Sequence, residues 1–254
     1  MRDGTAPPSP DSGRAARRWR ACAGRVRSGF SLVELAIAIA VIAFLIGGLL
    51  IPLQARVEGR QIAVTREELE SIREALLGFA AANGYLPCPD TGANGLENVT
   101  GSQCTTISSG MACGRLPHGN LGLAQSDVWG NRYTYCVNEL FARRGAGLTF
   151  TLGSGGNNVS ICTTQSCATT ITTTAVAAVV SHGKNGYGAT NFSTGTQNPA
   201  APHSDEQENY DNDGIIVWRP ATGVGAAAGE FDDIVAWLPR SVVVGRAIAA
   251  GKLP

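Results

Sequence analysis

A single carboxylate, Glu34, stands at the start of a long apolar stretch near the N-terminus. The residues from Leu35 to Leu53 contain no charged side chain. An ionised carboxylate beside an apolar segment of membrane length is costly in free energy and is retained with a partner or a function. The position of Glu34 therefore makes it the first candidate functional residue of this chain.

The length of this apolar segment and the charge before it predict a membrane span with a defined orientation. Phe30 to Leu53 comprises 24 residues, which would extend about 36 Å as a helix and cover roughly 30 Å of hydrocarbon. Residues 1–29 carry seven Arg and two Asp, and this basic excess keeps the N-terminus cytoplasmic. An ordinary secretory signal fits less well, because the apolar run is too long and no A-x-A-like site follows it. A plain membrane anchor is the other alternative.

The residues at the start of the span resemble the type III signal of type IV pilins and type II secretion pseudopilins. The shared pattern is Gly-Phe-x-x-x-Glu, here in GFSLVEL from Gly29 to Leu35. The resemblance implies that a prepilin peptidase cuts between Gly29 and Phe30 and methylates the amine of Phe30. It also implies that Glu34 contacts the freed amine of a neighbouring subunit. Such a buried pair only just offsets its desolvation, so it would set register more than stability.

Cysteine usage predicts disulfides in an oxidising compartment. Cys22 lies in the leader, and the six remaining cysteines are Cys88, Cys104, Cys113, Cys136, Cys162 and Cys167. An even number beyond a membrane anchor favours up to three disulfides in the periplasm. The sequence does not choose among the pairings, and our expectation is Cys104–Cys113, Cys162–Cys167 and Cys88–Cys136. Zinc is less favoured, since there is no C-x-x-C pair and the His residues lack ligand spacing.

A helix is predicted from about Phe30 to Ala82, with Pro52 as a point where it could kink. Its second half carries an apolar stripe, and Asn83-Gly84 followed by Pro87 is a stop signal. Beyond it, residues 84–126 read as irregular loop and residues 157–174 as a hairpin or loop. Patterns typical of strands occur at residues 129–137, 148–152, 175–181, 215–218 and 233–238, and a weaker helical pattern occupies residues 241–251.

Three short segments resemble type II secretion major pseudopilins in the right order. Asp127–Tyr135 (DVWGNRYTY) resembles a D-P-W-G-N-P-Y-x-Y strand, and Ser181–Gly186 resembles a glycine-rich Gly-x-Asp-Gly turn. Phe231–Ile234, with Trp237 after it, resembles the Asp-Ile…Trp ending. The chain departs from the pattern at Val128 and Arg132, which replace Pro, and at Asn185, which replaces Asp. Together the segments favour the secretion branch of the family.

The same resemblance implies Ca²⁺ as a candidate cofactor in the C-terminal region. Ca²⁺ takes carboxylate and carbonyl oxygens, and acids are concentrated in Ser204–Gly214 (SDEQENYDNDG, with Asp205, Glu206 and Glu208) and at Phe231–Ile234. These acids and Asp211, Asp213, Asp232 and Asp233 are the candidate ligands, and the last four are the favoured ones. The segment is not an EF-hand, because no Glu closes a twelve-residue loop. An acid-rich loop exposed to solvent is the alternative, and Asn185 removes one charge from the pattern.

The sequence indicates no enzyme. It has no Gly-x-Ser-x-Gly elbow, no P-loop and no H-E-x-x-H motif. Ser181 and His182 are neighbours on a strand and point to opposite faces, so His182 is expected to be a turn or core residue. Without residues 1–29 the chain has 13 basic and 18 acidic residues, which argues against a nucleic-acid partner.

These observations predict an α+β, pilin-like protein with one long N-terminal helix on a small antiparallel sheet with disulfide-stapled loops. The expected parts are a cleaved cytoplasmic leader (1–29), a transmembrane helix (30–53), a periplasmic half of that helix (54–83) and a periplasmic head (84–254). The expected function is a structural subunit of an inner-membrane type II secretion pseudopilus, minor because the head is larger than that of a major pseudopilin. Its expected partners are prepilin peptidase, other pilins or pseudopilins and the inner-membrane assembly platform. The alternatives are a minor type IV pilin for adhesion, motility or DNA uptake, and a membrane-anchored periplasmic binding domain that does not polymerise.

Overall fold

The computed structural model describes residues 29–145 and 158–253, and at residues 48–53 it describes the backbone alone. The chain divides into two compact units, Met1–Pro52 and Leu53–Pro254. The expected strand at 148–152, the leader up to residue 28 and Cys22 within it lie outside the described residues.

The longest element is helix α1, Leu32–Asn83, with 52 residues. Its bounds lie close to the predicted ones. Gly84 ends it in a left-handed conformation with φ +78°, and the Gly84 N–H donates to the carbonyl oxygen of Ala80 at 2.8 Å. Glycine adopts this conformation without steric cost, which is why the Asn-Gly pair works as a stop.

Within residues 29–145 and 158–253, no helix combines the length and the apolar character that a membrane crossing requires.

The remaining elements belong to the unit that begins at Leu53. In the described part of the chain, four short helices follow α1: α2 His118–Leu121, α3 Glu139–Ala142, α4 Ser204–Glu208 and α5 Arg240–Ala249. The strands are β1 Val99–Thr100, β2 Gln103–Cys104, β3 Met111–Arg115, β4 Asn131–Arg132, β5 Thr134–Asn138, β6 Val159–Cys162, β7 Thr170–Ser181, β8 Thr190–Asn191, β9 Ile215–Val217 and β10 Ile234–Pro239. The α+β class predicted from the sequence is confirmed.

One six-stranded sheet is organised around β7. Its strand order is β3-β5-β7-β6-β9, and β10 also pairs with β7. β7 is rich in β-branched residues, which suit a pleated surface, and Ala175–Ser181 is buried throughout, as the continuous apolar run predicts. Among these described strands, β6 pairs with β9 in parallel, and the other pairings are antiparallel. β1–β2 and β4–β8 form separate two-stranded pairs.

The core of this unit lies between α1 and one face of the sheet. A single cluster of buried side chains joins Leu69, Ile72 and Leu76 of α1 to Val179 of β7 and Leu238 of β10. The same cluster includes three side chains of α5, namely Val243, Val244 and Ala247. A second cluster covers the other face with side chains such as Ile161, Val180 and Ile216.

Leu76→Ala is expected to destabilise this unit by about 2–5 kcal/mol, because Leu76 is fully buried and its removal leaves a cavity. The measurement is denaturant unfolding of the full-length protein in detergent. Val57→Ala, on the same helix but 52% exposed, is the matched control and should change the free energy of unfolding by no more than about 0.5 kcal/mol. Equal effects of the two substitutions would contradict this packing.

The six cysteines beyond the leader form three disulfides, and two of the expected pairings are wrong. The pairs are Cys88–Cys104, Cys113–Cys136 and Cys162–Cys167. The expected pairs Cys104–Cys113 and Cys88–Cys136 are therefore wrong, and the expected pair Cys162–Cys167 is confirmed. The reason is strand register: Cys113 of β3 lies directly opposite Cys136 of β5. The prediction favoured disulfides between cysteines that are close in sequence, and such a preference does not identify a cross-strand pair.

Three local predictions also need correction or refinement. Residues 84–126 are not only loop, since Met111–Arg115 forms β3 and pairs with β5. The expected strand at 129–137 is two strands separated by Tyr133: β4 pairs with β8 and β5 joins the main sheet. The terminal helix is present as α5, Arg240–Ala249.

Candidate functional site

Glu34 lies in the first turn of α1, where it has a local partner. Its backbone N–H donates to Ser31 Oγ at 3.1 Å, so Ser31 acts as the N-cap and the sequence Ser31-Leu32-Val33-Glu34 has the capping-box pattern. A carboxylate is also favourable at this end of a helix dipole. Sequence reasoning missed this second role, although the S-x-x-E spacing was available to reveal it.

The carboxylate of Glu34 is exposed and has no ion-pair partner among residues 29–145 and 158–253. Phe30 is 80% exposed. At Gly29, a Cβ atom would meet no atom of the described residues within 4 Å, so the packing of these residues does not require glycine there.

The three segments that resemble major pseudopilins meet in space. Ser181 Oγ donates to Asp127 Oδ2 at 2.7 Å, and Asn131 Nδ2 donates to the carbonyl oxygen of Gly183 at 3.5 Å. Gly183 has φ +57°, and a Cβ there would lie 2.5 Å from the carboxyl carbon of Asp232. Glycine is thus needed where the turn approaches Asp232.

Asp127 organises the start of this arrangement. Its Oδ1 accepts the backbone N–H groups of Trp129 at 3.0 Å and Asn131 at 2.9 Å. Burial raises the pKa of Asp127, while these hydrogen bonds oppose the shift. Asp127 therefore serves as a buried acceptor that fixes the turn between Asp127 and Asn131.

Beyond the turn, three acids form a compact group that we call the inner acidic cluster: Glu206 and Asp233, which are buried, and Asp232, which is half-buried. One carboxylate oxygen from each lies within 4.8 Å of the others. Glu206 is 1% exposed and Asp233 is 7% exposed. Burial raises the pKa of Glu206, raises that of Asp232 to about 6, and raises that of Asp233 well above its usual value. Three ionised carboxylates this close together are electrostatically unfavourable unless they take up protons or a cation compensates them.

His182 borders this cluster and is fully buried, which confirms the expected core role. Its Nε2 is 2.8 Å from Thr134 Oγ1, and its Nδ1 is 3.8 Å from Asp233 Oδ1. Burial lowers the pKa of His182 to about 4, so the ring is neutral at physiological pH and does not neutralise the acids.

A second group, the outer acidic cluster, consists of Glu208, Asp211 and Asp213. Asp211 and Asp213 are exposed. Each accepts a hydrogen bond from the backbone N–H of the residue two positions later in the chain. Asp211 Oδ1 accepts from Asp213 at 3.2 Å, and Asp213 Oδ1 accepts from Ile215 at 2.8 Å. Burial raises the pKa of Glu208 to about 7. The acids predicted as candidate ligands are therefore divided between two groups, each of which contains one glutamate and two aspartates.

Comparison with known proteins identifies the N-terminal segment. Residues 24–50 match a family model described as the prokaryotic N-terminal methylation motif, a segment that contains Gly29, Phe30 and Glu34. The chain therefore carries a prepilin signal of the type IV pilin and pseudopilin kind. Comparisons with curated proteins and with solved structures give no match.

This motif implies processing by prepilin peptidase and assembly with other pilins. It indicates a membrane-anchored protein and points to a structural subunit rather than an enzyme.

Proposed function

We propose that this chain is a minor structural subunit of the inner-membrane pseudopilus of a type II protein secretion system. The observation that carries the proposal is the match of residues 24–50 to the N-terminal methylation motif. A signal of this kind serves proteins that enter helical filaments through their N-terminal helices, and the described part of the chain has such a helix in α1.

The head supports a pilin-like fold and the secretion branch. One face of helix α1 packs on a mainly antiparallel sheet. This is the arrangement that the resemblance implies. The three segments resembling major pseudopilins also contact one another, through Asp127 with Ser181 and through Asn185 with Asp232. Contacts between resembling segments are stronger support than the segments taken singly.

In this proposal, cleavage between Gly29 and Phe30 removes the basic leader and exposes the amine of Phe30, which is then methylated. Glu34 of one subunit receives the amine of the next, while residues 30–53 lie in the inner membrane and residues 84–254 form the periplasmic head. Prepilin peptidase, other pseudopilins and the assembly platform are the partners.

The test is deletion of the gene, followed by assay of enzymes secreted into the medium. We expect secretion to be lost and to return with the wild-type chain. Retained secretion with loss of twitching or transformation would instead identify a minor type IV pilin. An unprocessed N-terminus in the wild-type chain would indicate an anchored periplasmic domain that does not polymerise.

A further inference from the structure

A groove of about 900 Å³ lies along strand β10. Helix α1 lines it around Ile62, and the loop at residues 218–224 lines it from another direction, together with residues 230–236. Within β10, Ala236 belongs to the buried cluster on the α1 face of the sheet, and Val235 belongs to the cluster on the opposite face. Because side chains from both faces of β10 line the groove, the groove lies at the edge of this strand.

This edge of β10 has no strand beside it in the part of the chain that the structure describes. β10 pairs with β7 alone, and no other backbone hydrogen bond joins residues 234–237 to a described segment. In an antiparallel pair, alternate residues of a strand direct their N–H and C=O groups away from the partner strand. β10 therefore presents unpaired backbone donors and acceptors to the groove.

The edges of β3 and β9 are closed by neighbouring residues. Arg115 at the end of β3 exchanges two backbone hydrogen bonds with Asp90, at 2.8 and 3.0 Å. In β9, the side-chain amide of Asn209 accepts from the N–H of Val217 at 2.7 Å and donates to its carbonyl oxygen at 3.1 Å. An unpaired strand edge is a template for pairing with another chain, and the fold leaves such an edge at β10.

Apolar side chains flank this free edge. Trp218 is 42% exposed and Val224 is 86% exposed, and both line the groove with Ile62. The ring of Trp218 packs edge-on against Trp237 of β10, with 6.3 Å between the ring centroids. An extended peptide placed along β10 would therefore find apolar contacts for alternate side chains.

The charges of the groove favour a basic occupant. Glu230 and Asp232 line it at the start of β10, and neither has an ion-pair partner among the described residues. Two of the lining cations, Lys184 and Arg219, are paired with other acids at 3.4 and 2.9 Å, which leaves Arg66 of α1. Burial raises the pKa of Asp232 to about 6, and the charge of Glu230 contributes to this shift. A cation beside these two acids would therefore be stabilised.

We propose that this groove binds an extended segment of another protein, which adds to the free edge of β10 as a further strand and places a Lys or Arg side chain opposite Glu230 and Asp232. In this mode of recognition, main-chain hydrogen bonds provide affinity and alternate side chains provide specificity. The inference concerns the head alone and does not depend on processing or assembly.

The probe is a short synthetic peptide that alternates Val and Lys, added to the full-length protein in detergent. Fluorescence anisotropy of the labelled peptide should saturate at one peptide per protein, with a Kd below about 1 mM. A peptide that alternates Val and Glu should bind about fivefold more weakly or worse, the upper end for one exposed ion pair. The Val-Lys peptide methylated at every backbone nitrogen can donate no hydrogen bond and should not bind.

Amide hydrogen exchange distinguishes strand addition from contact with the surface alone. The bound Val-Lys peptide should slow exchange in residues 234–238 of β10. Exchange in β9 should not change, because the side chain of Asn209 already bonds Val217 at that edge.

A charge reversal tests the predicted orientation of the basic side chain. Glu230→Lys should weaken binding of the Val-Lys peptide about fivefold or more and abolish its advantage over the Val-Glu peptide. Glu67→Lys makes the same change at an exposed position of α1 outside the groove and is the matched control, which should bind as the wild type does. If Glu230→Lys fails to fold, the comparison of the three peptides on the wild type decides.

Four results would overturn the proposal. They are no binding of the Val-Lys peptide, equal binding of its methylated form, equal binding of the Val-Glu peptide by the wild type, and no slowing of exchange in β10. Slowed exchange in β10 that depends on protein concentration without peptide would assign the edge to a second copy of this chain and would also contradict it.

Discussion

Gly29→Leu should leave the full-length precursor in the membrane, with processing slowed on the order of 10²-fold or more. A protease that cuts after Gly29 must bring its catalytic groups close to this backbone, and a bulky side chain would displace the scissile bond; misplacement of about 1 Å is enough for an effect of this size. Loss of the leader is read on a gel, since the 29 residues separate precursor from mature chain.

The substitution does not disturb the packing of the described residues, because none of their atoms lies within 4 Å of a Cβ placed at Gly29. A defect therefore reports recognition by the peptidase and not misfolding. Gly47→Leu is the matched control: it makes the same change inside the apolar segment that follows, a Cβ there also meets no described atom within 4 Å, and the variant should be processed normally. Normal processing of Gly29→Leu would place the cleavage site elsewhere.

Glu34→Gln is expected to be cleaved and methylated normally but to enter filaments poorly. If the carboxylate is the counter-charge for a neighbour's freed amine, removing it leaves that amine buried without a partner. Such a loss costs about 3–5 kcal/mol for each contact, roughly two to four orders of magnitude in an association constant. The measurement is the fraction of mature protein in sheared or pelleted filaments, and Glu34→Ala should behave in the same way.

The capping role of Ser31 supplies the control. Gln at position 34 keeps the capping-box pattern, so Glu34→Gln changes the charge with little effect on the start of the helix. Ser31→Ala does the reverse: it removes the hydrogen bond to the Glu34 N–H and costs about 0.5–2 kcal/mol of helix stability. We expect Ser31→Ala to assemble. Assembly of Glu34→Gln at the wild-type level would refute the counter-charge role.

Structural features that depend on short, contiguous segments of the chain could be predicted from the sequence. The apolar run with its flanking Glu34, the stop at Asn83-Gly84 and the continuous strand at Ala175–Ser181 each depend on neighbours in the chain. Local propensity and periodicity are sufficient for such elements. The α+β class follows from their order.

Features decided by strand register or by packing between distant segments could not be predicted. Met111–Arg115 contains Gly, Met and Cys without an alternating pattern, and it becomes β3 because β5 offers it an edge. The pairing of Cys113 with Cys136 follows from that register. Likewise Glu206 reaches Asp232 across 26 positions of sequence because α4 folds back over the turn at Asn185, and composition alone could not distinguish it from Asp211.

The last two elements, β10 and α5, pack against elements that come much earlier in the chain. β10 pairs with β7 over six residue pairs, α5 adds side chains to the cluster around Leu76, and Arg246 Nη2 is 2.9 Å from Glu74 Oε2 of α1. A chain truncated before Ile234 would leave an open strand edge and an uncovered apolar helix, features that expose incomplete chains to aggregation and degradation. Burial of this part of the α1 surface is therefore coupled to the completeness of the chain, because only a chain that extends through α5 covers it.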